Sequence, residues 1–194
     1  MADSINLEEI VRSRFSRTKK PVRFFDSGAG NAGVSGDLKR KLGPLVEVTA
    51  LTLLHPNISE QSKRLSVKAA RNVRDYYPFS AGDPELPKIS RRFQREQART
   101  IDNARENASI VDRVKVGLLE DMPVKGKYDI VFDHAGPLEH SKYQERVIAQ
   151  YSKMLPKGGL LITTKRIGSE VAAKYPKVFE MLETTKNHAV VRRK

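Results

Sequence analysis

The stretch RFFDSGAGNAGVSGDL, residues 23–38, decides how the rest of the chain is read. PVRFFDS, residues 21–27, is rich in β-branched and aromatic side chains that fit a pleated surface, so it predicts a strand. Asp26 ends the apolar run, and Gly28, Gly30 and Gly33 follow at close spacing. Glycine serves where backbone must turn sharply or let another group come very near. From Gly33 the segment GVSGDLKRKLG turns amphipathic and ends at Gly43 with Pro44 behind it, a helix with its stop signal. Strand, acid, glycine loop, helix is the context that makes a Gly-x-Gly run a ligand loop. A tight turn holding nothing is the other reading of the same residues.

Working outward, INLEEIVRS (5–13) predicts a short N-terminal helix, and LVEVTALTLL (45–54) a strand apolar enough to be buried on both faces. ARTIDNARENASI (98–110) reads as a helix, and a strand follows from about Val114 to Leu118. YDIVFDHAG (128–136) is a strand ending in a polar cluster. SKYQERVIAQYSKML (141–155) is a helix with Tyr143, Val147, Ile148, Tyr151 and Leu155 on one face. PKGGLLITTK (156–165) is a turn and a strand, SEVAAKYPKVFEMLE (169–183) a helix interrupted by Pro176, and HAVVRR (188–193) a last strand. This alternation predicts βαβ units, a mostly parallel sheet and a single α/β domain over 1–194. Ligands of such sheets sit at the carboxyl ends of the strands, where the glycine loop and Asp133-His134 both lie.

Lys and Arg number 36 against 23 Asp and Glu, a net charge of +13. That excess points to an anionic partner, nucleic acid above all, with a merely solvated basic surface as the alternative. The chain has no cysteine, which excludes disulfides and thiolate metal sites. No run has the length and apolarity of a membrane span or the pattern of a leader, so a cytoplasmic protein without a membrane partner is expected. No grouping of His with carboxylates has metal-ligand spacing, so no metal is expected, and the nucleophile elbow Gly-x-Ser-x-Gly is missing.

Residues 57–95 break the alternation and read as a basic insertion after the second strand. Arg64, Arg71, Arg74, Arg91, Arg92 and Arg95 are its candidate contacts to nucleic acid, with RNA favoured. Tyr76, Tyr77 and Phe79 are either base-stacking groups or a small packing cluster.

DSGAGNAG (26–33), with NARENA (103–108), RVKVGLLEDMP (113–123), YDIVFDHAGPLEH (128–140) and MLPKGGLLITT (154–164) following in order, resembles the class I S-adenosylmethionine-dependent methyltransferases. The resemblance runs from about Val22 to Thr164 around the insertion, and it implies a Rossmann-like three-layer sandwich binding S-adenosyl-L-methionine. It further implies that Asp26, Ser27, Gly28 and Gly30 hold the methionine part of the cofactor. Thr52 would lie at the ribose, Leu118, Leu119 and Glu120 at the adenine, and Asp133 facing the methyl donor. Two family features differ here. The second strand ends TALTLLHPN, without the usual ribose-binding acid, and the third reads Gly117-Leu118-Leu119 where an acid normally follows the glycine. Ala32 also stands at the third glycine position.

The resemblance leaves the methyl acceptor open. DHAG keeps only the acid of the D/N-P-P-Y motif of base-amine methylation. Asp133 and Lys165 are similar to the middle pair of the Lys-Asp-Lys-Glu set of FtsJ-like RNA methyltransferases, and are the candidate catalytic residues. Lys19 or Lys20 are loose candidates for its first lysine, and no glutamate stands in the last strand. His134 and His140 are candidate polar groups near the acceptor, as in small-molecule members of the family, or simple local caps. Methyl transfer to RNA is the favoured expectation. A non-catalytic RNA-binding protein on this fold and a small-molecule methyltransferase are the alternatives.

Overall fold

A computed structural model describes residues 5–29, 32–52, 106–123, 126–134 and 136–194. The insertion 57–95 with its arginines and aromatics, and Gly30 of the glycine loop, lie outside the described residues.

Helix α1 (Leu7–Thr18) leads into strand β1 (Val22–Asp26), helix α2 (Gly33–Leu42) and strand β2 (Val46–Thr52). Residues 106–110 are helical and precede β3 (Arg113–Val116), a 3-10 turn (Leu119–Asp121) and β4 (Ile130–Asp133). The short α3 (Pro137–His140) and the longer α4 (Gln144–Met154) lead to β5 (Leu160–Thr164), α5 (Lys165–Lys174), β6 (Phe179–Thr184) and β7 (His188–Arg193). The seven strands lie in the order β3-β2-β1-β4-β5-β7-β6. Strands β1 to β5 pair parallel, and β7 runs antiparallel to both of its neighbours.

Strand alternation sorts the core into two layers. Phe24, Val48, Ile130 and Ile162 point to one face and pack with Val11 of α1 and Leu38 and Leu42 of α2. Phe25, Val131, Leu161 and Val191 point to the other and pack with Val147, Ile148 and Tyr151 of α4 and Ile167 and Val171 of α5. Helices cover both faces of a mostly parallel sheet, which is the three-layer sandwich expected.

Several boundaries differ from the sequence expectation, and each has a physical reason. The helix expected over 169–183 is a helix only to Lys174; Pro176 has no N–H to continue it, and Phe179–Thr184 form a strand instead. The sheet therefore finishes with two strands, β6 and β7, rather than one. The helix expected from 141 begins at Gln144, so Tyr143 is exposed instead of joining the buried face. Helix α1 runs on to Thr18, where Lys19 caps it in the left-handed region. Strand β3 ends at Val116, short of the expected Leu118.

Candidate functional site

Asp26 and Asp133 end β1 and β4, which are hydrogen-bonded neighbours, and both side chains are almost wholly buried. Asp26 accepts from Ser35 Oγ at 2.7 Å and from the Gly28 N–H at 3.3 Å. Ser35 lies in the first turn of α2, so this carboxylate ties the strand end, the glycine loop and the helix start together. Burial pushes its carboxyl up to about 6, against the pull of Ser35 and Gly28, and the Asp133 charge adds to the rise.

Asp133 is held by backbone. Its Oδ1 accepts from the Gly136 N–H and its Oδ2 from the Leu138 N–H, each at 3.1 Å. Tyr151 of α4, fully buried, hydrogen-bonds Asp133 Oδ2 and reaches Ser27 Oγ at 2.7 Å. Ser27 Oγ lies 3.0 Å from the Phe132 carbonyl. Burial raises Asp133 to about 6, and the Tyr151 phenol is pushed well above its usual range by burial and then by the Asp133 charge.

Proton counting shows what this network does. With Asp133 protonated, each group donates to the next: Asp133 to Tyr151, Tyr151 to Ser27, Ser27 to the Phe132 carbonyl. With Asp133 ionised, the Tyr151 proton turns to the carboxylate, and Ser27 has one proton for two acceptors. Ionisation of Asp133 would thus reverse the Tyr151 hydrogen bond beneath the glycine loop. The two loops also touch directly: a Cβ on Gly28 would lie 2.6 Å from Gly136 Cα, and one on Gly136 2.5 Å from Asp133 Oδ1. Glycine is required at both positions for the loops to approach this closely.

Thr52 is buried at the end of β2, and its carbonyl accepts from the Gly117 N–H at 3.2 Å. Leu119 is buried in the core beside Phe25 and Tyr128. Glu120, half-buried, accepts from Ser141 Oγ at 3.0 Å. Thr163 is the register partner of Asp133, so Lys165 stands at the neighbouring strand end; its side chain is exposed at the start of α5, while the Asp133 carboxylate is enclosed. Lys19 and Lys20 precede β1 and lie at the opposite end of the sheet from Asp133. Ala32 adopts φ 56° at the cap of α2, a left-handed conformation that suits the glycine found there in the resembled family.

The sequence reading missed His188. Its Nε2 lies 3.0 Å from Nδ1 of His134, the two rings are 4.8 Å apart, and both stack near Phe132. Burial lowers the His188 pKa, and the neighbouring His134 lowers it further. The antiparallel β5–β7 pairing, which sets His188 opposite Thr164, brings it there, and no signal in the sequence marks it.

No family model and no curated protein matches the chain. Solved structures do. TrmN from Thermus thermophilus aligns with a TM-score of 0.51 at 13% identity, over 96% of this chain and 49% of that one. The 1,6-didemethyltoxoflavin-N1-methyltransferase of Burkholderia thailandensis, solved with S-adenosylhomocysteine, aligns at 0.49 and 12% identity over 95% of this chain and 75% of that one. Escherichia coli yhhF aligns at 0.49 and 12% identity, over 100% and 89%. The chain spans less than half the length of TrmN and of several other matching structures. Helices on both faces of a sheet of seven described strands, parallel but for β7, give this chain the Rossmann-like methyltransferase fold.

Proposed function

We propose that this chain binds S-adenosyl-L-methionine and transfers its methyl group to a nucleic acid, RNA first. The observation that carries the reading is Asp26, a buried carboxylate at the foot of the glycine loop on a methyltransferase fold. A buried carboxylate resists ionisation until a cation matches it, and the cofactor brings an ammonium and a sulfonium. When bound, the cofactor supplies an electrophilic methyl group whose transfer leaves a neutral thioether.

The described residues fit the amino-acid half of that ligand. Asp26, Ser27 and Gly28 would hold it, and Asp133 with Tyr151 would keep the Ser27 loop in place beneath it. Leu119 and Glu120 would border the adenine. No carboxylate ends β2, so Thr52 would meet the ribose with a hydroxyl in place of the usual acid. Lys165, an exposed cation at the strand end, would favour loss of a proton from a nearby acceptor hydroxyl. The net charge of +13 favours a polyanionic acceptor, to which Arg64, Arg71, Arg74, Arg91, Arg92 and Arg95 would contribute. The His134–His188 pair favours a second reading, a small acceptor that gives its proton to an imidazole.

Calorimetric titration with S-adenosylmethionine, with NAD as control, tests the cofactor. Saturable binding that weakens at least about tenfold in Asp26→Asn is expected, the loss of one charged hydrogen bond. No heat at millimolar cofactor overturns the reading. Tritiated methyl incorporation into RNA against a small-molecule panel then separates the two acceptors.

A further inference from the structure

The amino ends of the strands, opposite the candidate site, carry a face of exposed cations. Lys19, Lys20, Lys127, Lys157, Lys177 and Lys194 are all exposed there, and none has a carboxylate partner among the described residues. Hydrogen bonds join their segments into one surface. The Asp129 N–H donates to the Arg23 carbonyl, and an Arg14 guanidinium N–H to the Gly158 carbonyl at 3.1 Å. Gly158 and Arg193 are bonded through backbone at 2.8 Å, the Lys194 N–H donates to the Val178 carbonyl, and Lys194 Nζ to the Pro176 carbonyl. Lys127 Nζ donates to the Lys153 carbonyl. The half-buried acid on this surface, Asp129, is shared by Arg14 and Arg23.

Several cations elsewhere are paired, although Lys165 and Lys186 at the carboxyl ends of the strands are exposed without an ion pair among the described residues. Lys39 meets Asp112 at 2.8 Å, Lys41 meets Glu8 at 2.7 Å and Arg113 meets Glu47 at 3.1 Å. The C-terminal dipole of α1 favours a cation or two near Lys19, but not those contributed by the loops before β4, β5 and β6. Unpaired like charges raise the free energy of the folded chain unless an anion joins them.

We propose that this face binds the phosphate backbone of a nucleic-acid duplex. The large exposed apolar side chains among the described residues are Val34, Tyr143 and Leu182, and none lies on this surface. Among the described residues it therefore offers neither exposed rings on which unpaired bases could stack nor large apolar side chains to insert into a bilayer. Lysines address phosphates as point charges, without reading sequence. The proposal does not depend on methyl transfer.

The test is fluorescence anisotropy of the full chain with a labelled RNA duplex of about 20 base pairs, across salt concentrations. Lys20→Gln/Lys157→Gln is compared with Lys41→Gln/Arg113→Gln, which removes the same charge from the paired half. The first pair should weaken binding roughly five- to tenfold for duplexes of any sequence and lower the salt slope by about 1 to 2. The control pair should change it less than about twofold. Equal losses in both pairs, or none in the first, overturn the proposal. So does a loss confined to vesicles containing phosphatidylserine. Cofactor titration of the same variants should be unchanged, so failure here is distinct from failure of the methyl-transfer reading.

Discussion

The two ends of one sheet treat charge in opposite ways. At the carboxyl ends of β1 and β4, two carboxylates are sunk out of water and held by N–H and O–H groups. At the amino ends, exposed lysines have no carboxylate partner among the described residues, and the Asp129 carboxylate there is taken up by Arg14 and Arg23. In the first place each interaction is strong and local, because the surroundings screen little. In the second each is weak, and only the sum over several cations acts at a distance. Substitutions at the first end should therefore show in stability, and those at the second in binding.

The sharpest break comes at Asp133. Its two oxygens each face a backbone N–H, so Asp133→Asn must set an amide N–H₂ against one of them. A loss of about 3 kcal/mol in urea unfolding is expected, as for a broken buried network. Tyr151→Phe should cost about 1 to 2 kcal/mol and raise the Asp133 pKa above 6, because the phenol bond favours the carboxylate. The carboxyl ¹³C shift followed against pH measures that rise, which simple loss of packing would not produce.

Asp26→Asn sharpens the contrast from the other side. The amide can accept from Gly28 and donate to Ser35, so the fold should tolerate it. Because the folded pKa of Asp26 lies above its unfolded value, its favourable contribution is complete below about pH 4 and is lost as pH rises through about 6. The variant should thus match the parent near pH 4 and exceed it at pH 8, by at most about 3 kcal/mol for a two-unit shift. Urea unfolding at the two pH values decides it. Cofactor binding to the parent should weaken below about pH 6, where Asp26 holds its proton. The smallest effect is expected at exposed pairs: Arg113→Gln should change stability by less than about 0.5 kcal/mol.

Most of the fold was legible because strands β1, β2, β4 and β5 carry apolar runs and the helices between them a clear periodicity. The strand-end pattern pointed to the glycine loop and Asp133, and the family resemblance named Asp26, Ser27 and Gly28 within that loop. What those carboxylates bond to could not, since Ser35, Leu138 and Tyr151 reach them only through tertiary packing. The β6 strand was hidden by a helical period that continues across Pro176, and what settles it is pairing with β7. His188 was invisible for the same reason: its neighbour His134 is distant in sequence and meets it only across the sheet.

The place of β7 between β5 and β6 bears on how the molecule is made. The five parallel strands precede it in the chain, yet this interior strand follows both of the strands it pairs with. Until it arrives, β5 presents an unpaired edge of Leu161, Ile162 and Thr163, and β6 has no neighbour on which to settle. A nascent chain halted before His188 would expose an open template for pairing with other chains, whereas a few more residues close the sheet from within.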